Sequence, residues 1–168
     1  MISIEDLVRA GSPAPAPRPL EMDPLREEDA LQEVQLLDSL ARPLTAVAAL
    51  LFEMRTSLQF DDGNSALLVV RGLESFEWRS SPIKGPLTAM TILSSTPTRA
   101  GGSCRVRLVF HPAAELIVVG ELMEFYVLDA EAIGDTPPDY TDMDLAGVEH
   151  GLPSWHSRCT LLQASISR

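Results

Sequence analysis

From residue 65 onward the chain is written in short apolar runs broken at near-regular intervals by Gly, Pro and Asp, and this spacing constrains the fold more than any other feature. "SALLVVRG" (65–72) is a continuous apolar run, the pattern of a strand buried on both faces. "FEW" sets Phe76 and Trp78 on one face, opposite Glu77, and "LTAMTIL" (87–93) continues the series. In "RVRLVF" (105–110) Val106, Leu108 and Phe110 alternate with Arg105 and Arg107, so the apolar three point inward and the arginines outward. "ELIVVG" and "LMEFYVLD" meet at Gly120, with Met123, Phe125 and Val127 as an inner row, and "CTLLQASI" (159–166) closes the series. About seven or eight such strands with no βαβ alternation predict a mainly β fold, an antiparallel β-sandwich or barrel-like domain with one or two short helices. A doubly wound nucleotide-binding fold does not fit that order.

Ahead of residue 65 the signals are mixed. "DDGN" (61–64) reads as a tight hairpin turn in which Gly63 and Asn64 tolerate positive φ, giving a hairpin over about 50–71. "LTAVAALLF" (44–52) suits a helix or a buried strand, and Pro43 interrupts the run before it. Asp23 as N-cap, Pro24 at the first helical position and acids in the first turn predict a short helix over 24–31. The alternating prolines of "SPAPAPRP" (12–19) favour polyproline II, so residues 1–20 are expected to be a tether and residues 21–168 a single β-rich domain. Residues 1–10, with Ile2, Ile4, Leu7 and Val8, read either as a frayed terminus or as an amphipathic turn that the tether presents to a partner.

Charge narrows the partners. Asp and Glu number 24 against 13 Lys and Arg, a net charge of −11 over 168 residues. Such a surface repels phosphate backbones and anionic lipid, and attracts a basic protein or a divalent cation. With few aromatics and its arginines scattered among acids, the chain has neither a stacking platform nor a basic stripe, so no nucleic acid is expected. No run approaches the length of a membrane helix, and "MISIEDLVRAG" carries acids where a signal peptide needs bases, so a soluble, cytoplasmic protein is expected. Cys104 and Cys159 are too few for a disulfide framework and read as buried thiols.

The most unusual stretch is "DTPPDYTDMD" (135–144), inside an excursion from Asp129 to Glu149 that holds acids but no Lys or Arg. It lacks the ligand order and central Gly of a calcium loop. Two readings stay open, a solvated Pro-rich loop and a docking surface for a basic protein. In the second, Asp135, Asp139, Asp142 and Asp144 steer encounter and Tyr140 supplies the desolvated anchor. "HGLPSWHSRC" gathers His150, His156 and Cys159 downstream of Asp144, but the spacing matches no structural zinc pattern, and Trp155 reads as the aromatic that pins this loop. No metal and no cofactor is assigned. There is no G-x-S-x-G elbow, P-loop or G-x-G-x-x-G, and "RAGGSCR" (99–105) reads as a hairpin loop, so no enzymatic role is expected.

"LLFEMRTSLQFDDGNSALLVVRGLESFEW", with "LIVVGELMEFYVLDAE" and "GLPSWHSRCTLLQASI", resembles a class of small actinobacterial β-rich proteins. Twelve Arg against Lys84 alone, and Asn64 as the one asparagine, fit a GC-rich coding sequence. The likeness covers about residues 46–166 and implies one β-rich domain with Ala46–Met54 as a strand. Some proteins of that class look like immunity or accessory partners of secreted effectors, which implies a non-enzymatic, inhibitor-type role against a basic partner. The competing expectation is a structural or assembly subunit, a homo-oligomer included, that binds through its N-terminal tether and an exposed β-edge.

Overall fold

The computed structural model describes residues 2–11 and 18–167. Its elements are β1 (Ile2–Ser3), α1 (Ile4–Ala10), β2 (Gln35–Arg42), β3 (Val47–Glu53), β4 (Ser65–Ser80), β5 (Met90–Ala100), β6 (Ser103–His111), β7 (Ala114–Ala130), α2 (Leu145–His150) and β8 (Arg158–Ser167). The strands form one antiparallel sheet in the order β1-β8-β7-β4-β3-β2-β5-β6, and β6 also pairs with β7. The sheet therefore curls into a barrel-like ring, with β8 and β1 as a flap outside it. This is the mainly β, antiparallel architecture expected, with two short helices.

β7 makes the closure possible. It pairs with β4 along nearly its whole length. On its other side Ala114–Gly120 pairs with β6 and Met123–Ala130 pairs with β8. Gly120 sits at the handover, where a Cβ would run into the Val70 side chain and approach the Arg71 carbonyl.

The ring interior holds Leu50, Phe52, Leu68, Leu108, Phe110 and Phe125, among others. A second apolar cluster lies outside the ring, where Ile4, Leu7 and Val8 of α1 cover Ala49, Leu51, Leu67 and Val69. That cover explains why Val47–Phe52 of β3 and Ala66–Val70 of β4 are apolar at every position, since both faces are buried. Alternation returns in β6, whose Val106, Leu108 and Phe110 face inward as expected.

Three expectations change, and one open choice is decided. Residues 2–11 are not a tether: β1 pairs with β8, and α1 is started by a capping box between Ser3 and Asp6 and buried on its apolar side. The polyproline reading falls mainly on residues 12–17, outside the described residues. The helix expected over 24–31 is a series of turns. Asp23 does cap one, accepting from the Leu25 N–H, and the Glu27 N–H reaches the Asp23 carbonyl. At Asp29, however, φ is 58° and the helix cannot continue. The ambiguous stretch at 44–54 is β3, preceded by a Pro43–Ala46 turn with Ala46 at φ 52°. The β3–β4 connection is the whole of 54–64 rather than a tight turn, with Gly63 at φ 86°.

No helix among the described residues is long and apolar enough to cross a membrane.

Candidate functional site

The acidic excursion links β7 to β8 and contains few buried apolar residues, chiefly Ile133 and Val148. What holds it is Arg55, just beyond β3. Its guanidinium donates to the carbonyls of Ile133 (2.7 Å), Thr136 (2.9 Å) and Gly151 (2.7 Å), bracketing the excursion at both ends. The same group donates to both carboxylate oxygens of Glu53, at 2.8 and 2.6 Å, with Arg55 4% and Glu53 0% exposed. A stretch that holds no Lys or Arg from Asp129 to Glu149 thus rests on a buried arginine from another element. The sequence signal was an acid and a base two apart at the end of an apolar run, easily read as a surface pair.

The five expected docking residues divide by what they already do. Asp139 accepts from the Thr141 N–H (2.9 Å) and hydroxyl (2.7 Å), closing an Asx turn. These bonds, the Thr141 hydroxyl first, hold its carboxyl below the usual range. Asp144 caps α2 by accepting from the Gly147 N–H at 2.8 Å. Asp135 and Asp142 are exposed. Tyr140 is half-buried, and burial first, then the charge of Glu53, push its hydroxyl pKa up.

Tyr140 is half-buried because it lines an apolar depression of about 220 Å³ with Leu36, Leu87, Met90, Leu145 and Leu152. Leu145 is 58% and Leu87 40% exposed. Glu149 is the one charged residue in the lining, and it is an acid. A second depression of about 410 Å³ shares Leu36, Leu37 and Met90 and extends to Phe76, Trp78 and Asp38 at the mouth of the ring. Trp78 leans on Phe110 there, with ring centroids 5.6 Å apart. Sequence reasoning found Tyr140 but not its apolar neighbours, because they come from β2, β5, α2 and the β4–β5 loop.

The His and Cys residues are not brought together. His156 is exposed, 3.7 Å from Glu5, and His150 is exposed at the end of α2. Cys159 is buried in the outer cluster, where burial pushes its thiol up to about 11. Trp155 does pin the loop, donating from its indole N–H to Asp38 at 2.8 Å. Among the described residues no group of three or more His, Cys, Asp or Glu could hold a metal ion.

Comparison with protein-family models, curated proteins and solved structures finds no match to this chain.

Proposed function

We propose that the protein is a binding domain of the immunity or inhibitor type, which engages a basic protein through the acidic excursion and the depression beside it. One observation carries the reading. Tyr140 sits at the lip of an apolar depression lined by no cation, on a loop whose neighbouring carboxylates Asp135, Asp139, Asp142 and Asp144 are exposed. An aromatic anchor inside a charged rim is the anatomy of a docking site, with the anchor holding and the rim steering. The attachment to Arg55 adds preorganisation, since a loop already fixed loses little entropy on binding. Inhibition by occlusion needs complementarity and no reacting group.

The test begins with a partner captured by the tagged chain at low salt and lost at high salt, followed by association kinetics with variants. Asp139 and Asp144 shape the loop, so the clean charge test is Asp135→Asn with Asp142→Asn. That pair should slow association several-fold and flatten its salt dependence, leaving dissociation nearly unchanged. Tyr140→Ala should act the other way, speeding dissociation by about tenfold or more. If the carboxylate pair leaves association and its salt slope unchanged, the acidic loop is not the docking surface.

A further inference from the structure

β2 has an open edge, and its register can be read from the hydrogen bonds. β2 pairs with β5 only at Gln35 and Leu36, yet stays paired to β3 through Arg42. Among the described residues no strand pairs with its other side from Asp38 to Arg42. The Met54 N–H donates to the Asn64 carbonyl across to β4, which sets the phase of β3: Leu51, Ala49 and Val47 face β2. Their partners Asp38, Leu40 and Arg42 bond inward, so Ser39 and Ala41 turn their N–H and C=O groups to the open side. The Ser39 N–H confirms this, since it donates at 2.8 Å to the carboxylate of its own neighbour Asp38.

We propose that this edge pairs antiparallel with the same edge of a second copy, about a two-fold axis at Leu40. "DSLAR" (38–42) is self-complementary in that register. Ser39 stands opposite the second copy's Ala41, so the outward N–H and C=O groups of each satisfy the other, and symmetry repeats the exchange. Asp38 stands opposite the second copy's Arg42, and Leu40 opposite itself. These are the close, non-hydrogen-bonded positions, where opposite charges and apolar pairs stabilise a sheet. Asp38, Leu40 and Arg42 share one face: Asp38 accepts from Trp155, Arg42 donates to Glu5, and Leu40 packs on the outer cluster. On pairing, the Ser39 N–H passes from Asp38 to a carbonyl, which frees a carboxylate oxygen toward Arg42.

The register also gives Leu44 a place. At 98% exposed it is the most solvated large apolar residue described, in the turn that follows β2. Beyond the paired segment the second copy's turn carries its Leu44 toward Leu37, short of Leu36 where β5 takes over the edge, at the border of the depression of about 410 Å³. A net charge of −11 on each copy opposes association at long range, so the dimer is concentration-dependent and favoured by screening salt. The proposal is independent of the docking reading, and partner capture can fail while the dimer holds.

Sedimentation velocity of the full chain over a concentration series tests it. The expected result is a reversible monomer–dimer equilibrium that Leu44→Asp weakens by about tenfold or more, the loss of one buried leucine contact on each side. Ala41→Pro removes an outward donor that β3 does not use and should weaken the dimer at least as much. Circular dichroism checks that variant's fold, and if it is lost, Leu44→Asp carries the test because Leu44 touches nothing that folding needs. In the wild-type chain, amide exchange at Ala41 should slow as concentration rises. A chain that stays monomeric throughout, or a dimer indifferent to Leu44→Asp, overturns the proposal.

Discussion

Two arginines, Arg71 and Arg55, each reach from the sheet to the carbonyls of a segment lying outside the ring, and each is backed by a glutamate. Arg71 on β4 donates to the carbonyls of Val8 (2.8 Å) and Leu7 (2.9 Å) in the last turn of α1, and to both oxygens of Glu124 on β7. Tyr126 donates to the same glutamate at 2.9 Å. Arg55 does the equivalent for the excursion, with Glu53 behind it. The segments they hold differ. α1 brings its own apolar stripe, Ile4, Leu7 and Val8, and the preceding strand pairs with β8. For α1 the arginine adds a C-terminal cap, its guanidinium joining the Gly11 N–H at the Leu7 carbonyl and reaching the Val8 carbonyl beside it. The excursion has little to bury, so there the arginine is the attachment itself. Burial follows the same order, with Arg55 at 4% and Arg71 at 22% exposed.

Removing Arg55 should have the largest effect. Arg55→Met leaves Glu53 uncompensated at 0% exposure and should cost about 3–5 kcal/mol in chemical denaturation. It should also release residues 131–152 to rapid amide exchange while the ring interior stays protected. A second substitution separates charge from attachment. Adding Glu53→Leu removes the unpaired acid and should return much of the stability without returning protection to the excursion. If the double variant re-protects the loop, the carbonyl contacts are not what holds it.

Arg71→Met should cost less, about 1–3 kcal/mol, because α1 keeps its apolar contacts and the pair is partly solvated. Its readout is chemical. Cys159 lies in the cluster under α1 and opposite Ile2, with its thiol pushed up to about 11, so modification near neutral pH is slow in the native chain. Loosening α1 should speed it several-fold relative to Cys104, buried in the ring interior, which serves as the internal control. Equal rates in variant and wild type would mean that the apolar stripe alone seats the helix.

The same contrast explains which parts of this structure were legible in the sequence. Strands with period two, such as β6, show in the pattern because one face is wet. β7 was legible too, with Met123, Phe125 and Val127 inward, although Gly120 proved to be a handover within one strand rather than a joint between two. β3 was ambiguous because α1 covers its outer face and erases the alternation. The turn series at 24–33 carries real helix-start chemistry at Asp23, and its failure lies in the positive φ of Asp29, which tertiary contacts impose: the Asp29 N–H donates to the Ser95 carbonyl at 2.8 Å. For the site, acids and tyrosine were visible as composition. Arg55, Leu36, Leu87 and Leu145 were not, because nothing local marks residues that meet only through the ring closure.

Acid should act on the two segments more gently than either substitution. Glu5 and Asp6 in α1 and Asp139 in the excursion all have carboxyls held below their ordinary values. For Glu5 the leading cause is the hydrogen bond from Arg42, for Asp6 those from Ser3, and for Asp139 those from Thr141. A lowered folded value means that the stabilisation is present above the usual carboxylate range and is lost as pH falls through the folded value. The three losses are not equivalent in structure. Protonating Glu5 unties α1 from β2, and protonating Asp6 opens the capping box, so both act on how the helix is seated. Protonating Asp139 loosens a turn that begins and ends inside the excursion, leaving the Arg55 contacts in place. Amide protection factors compared between about pH 5 and pH 3 should therefore fall more at Gly11, whose N–H bonds back to Leu7, than at the amides flanking Ile133 and Gly151. The effect should be small, roughly a few-fold, because Asp6 and Asp139 are exposed and Glu5 is partly so. A larger fall across the excursion would mean that its acids, rather than Arg55, govern how it is held.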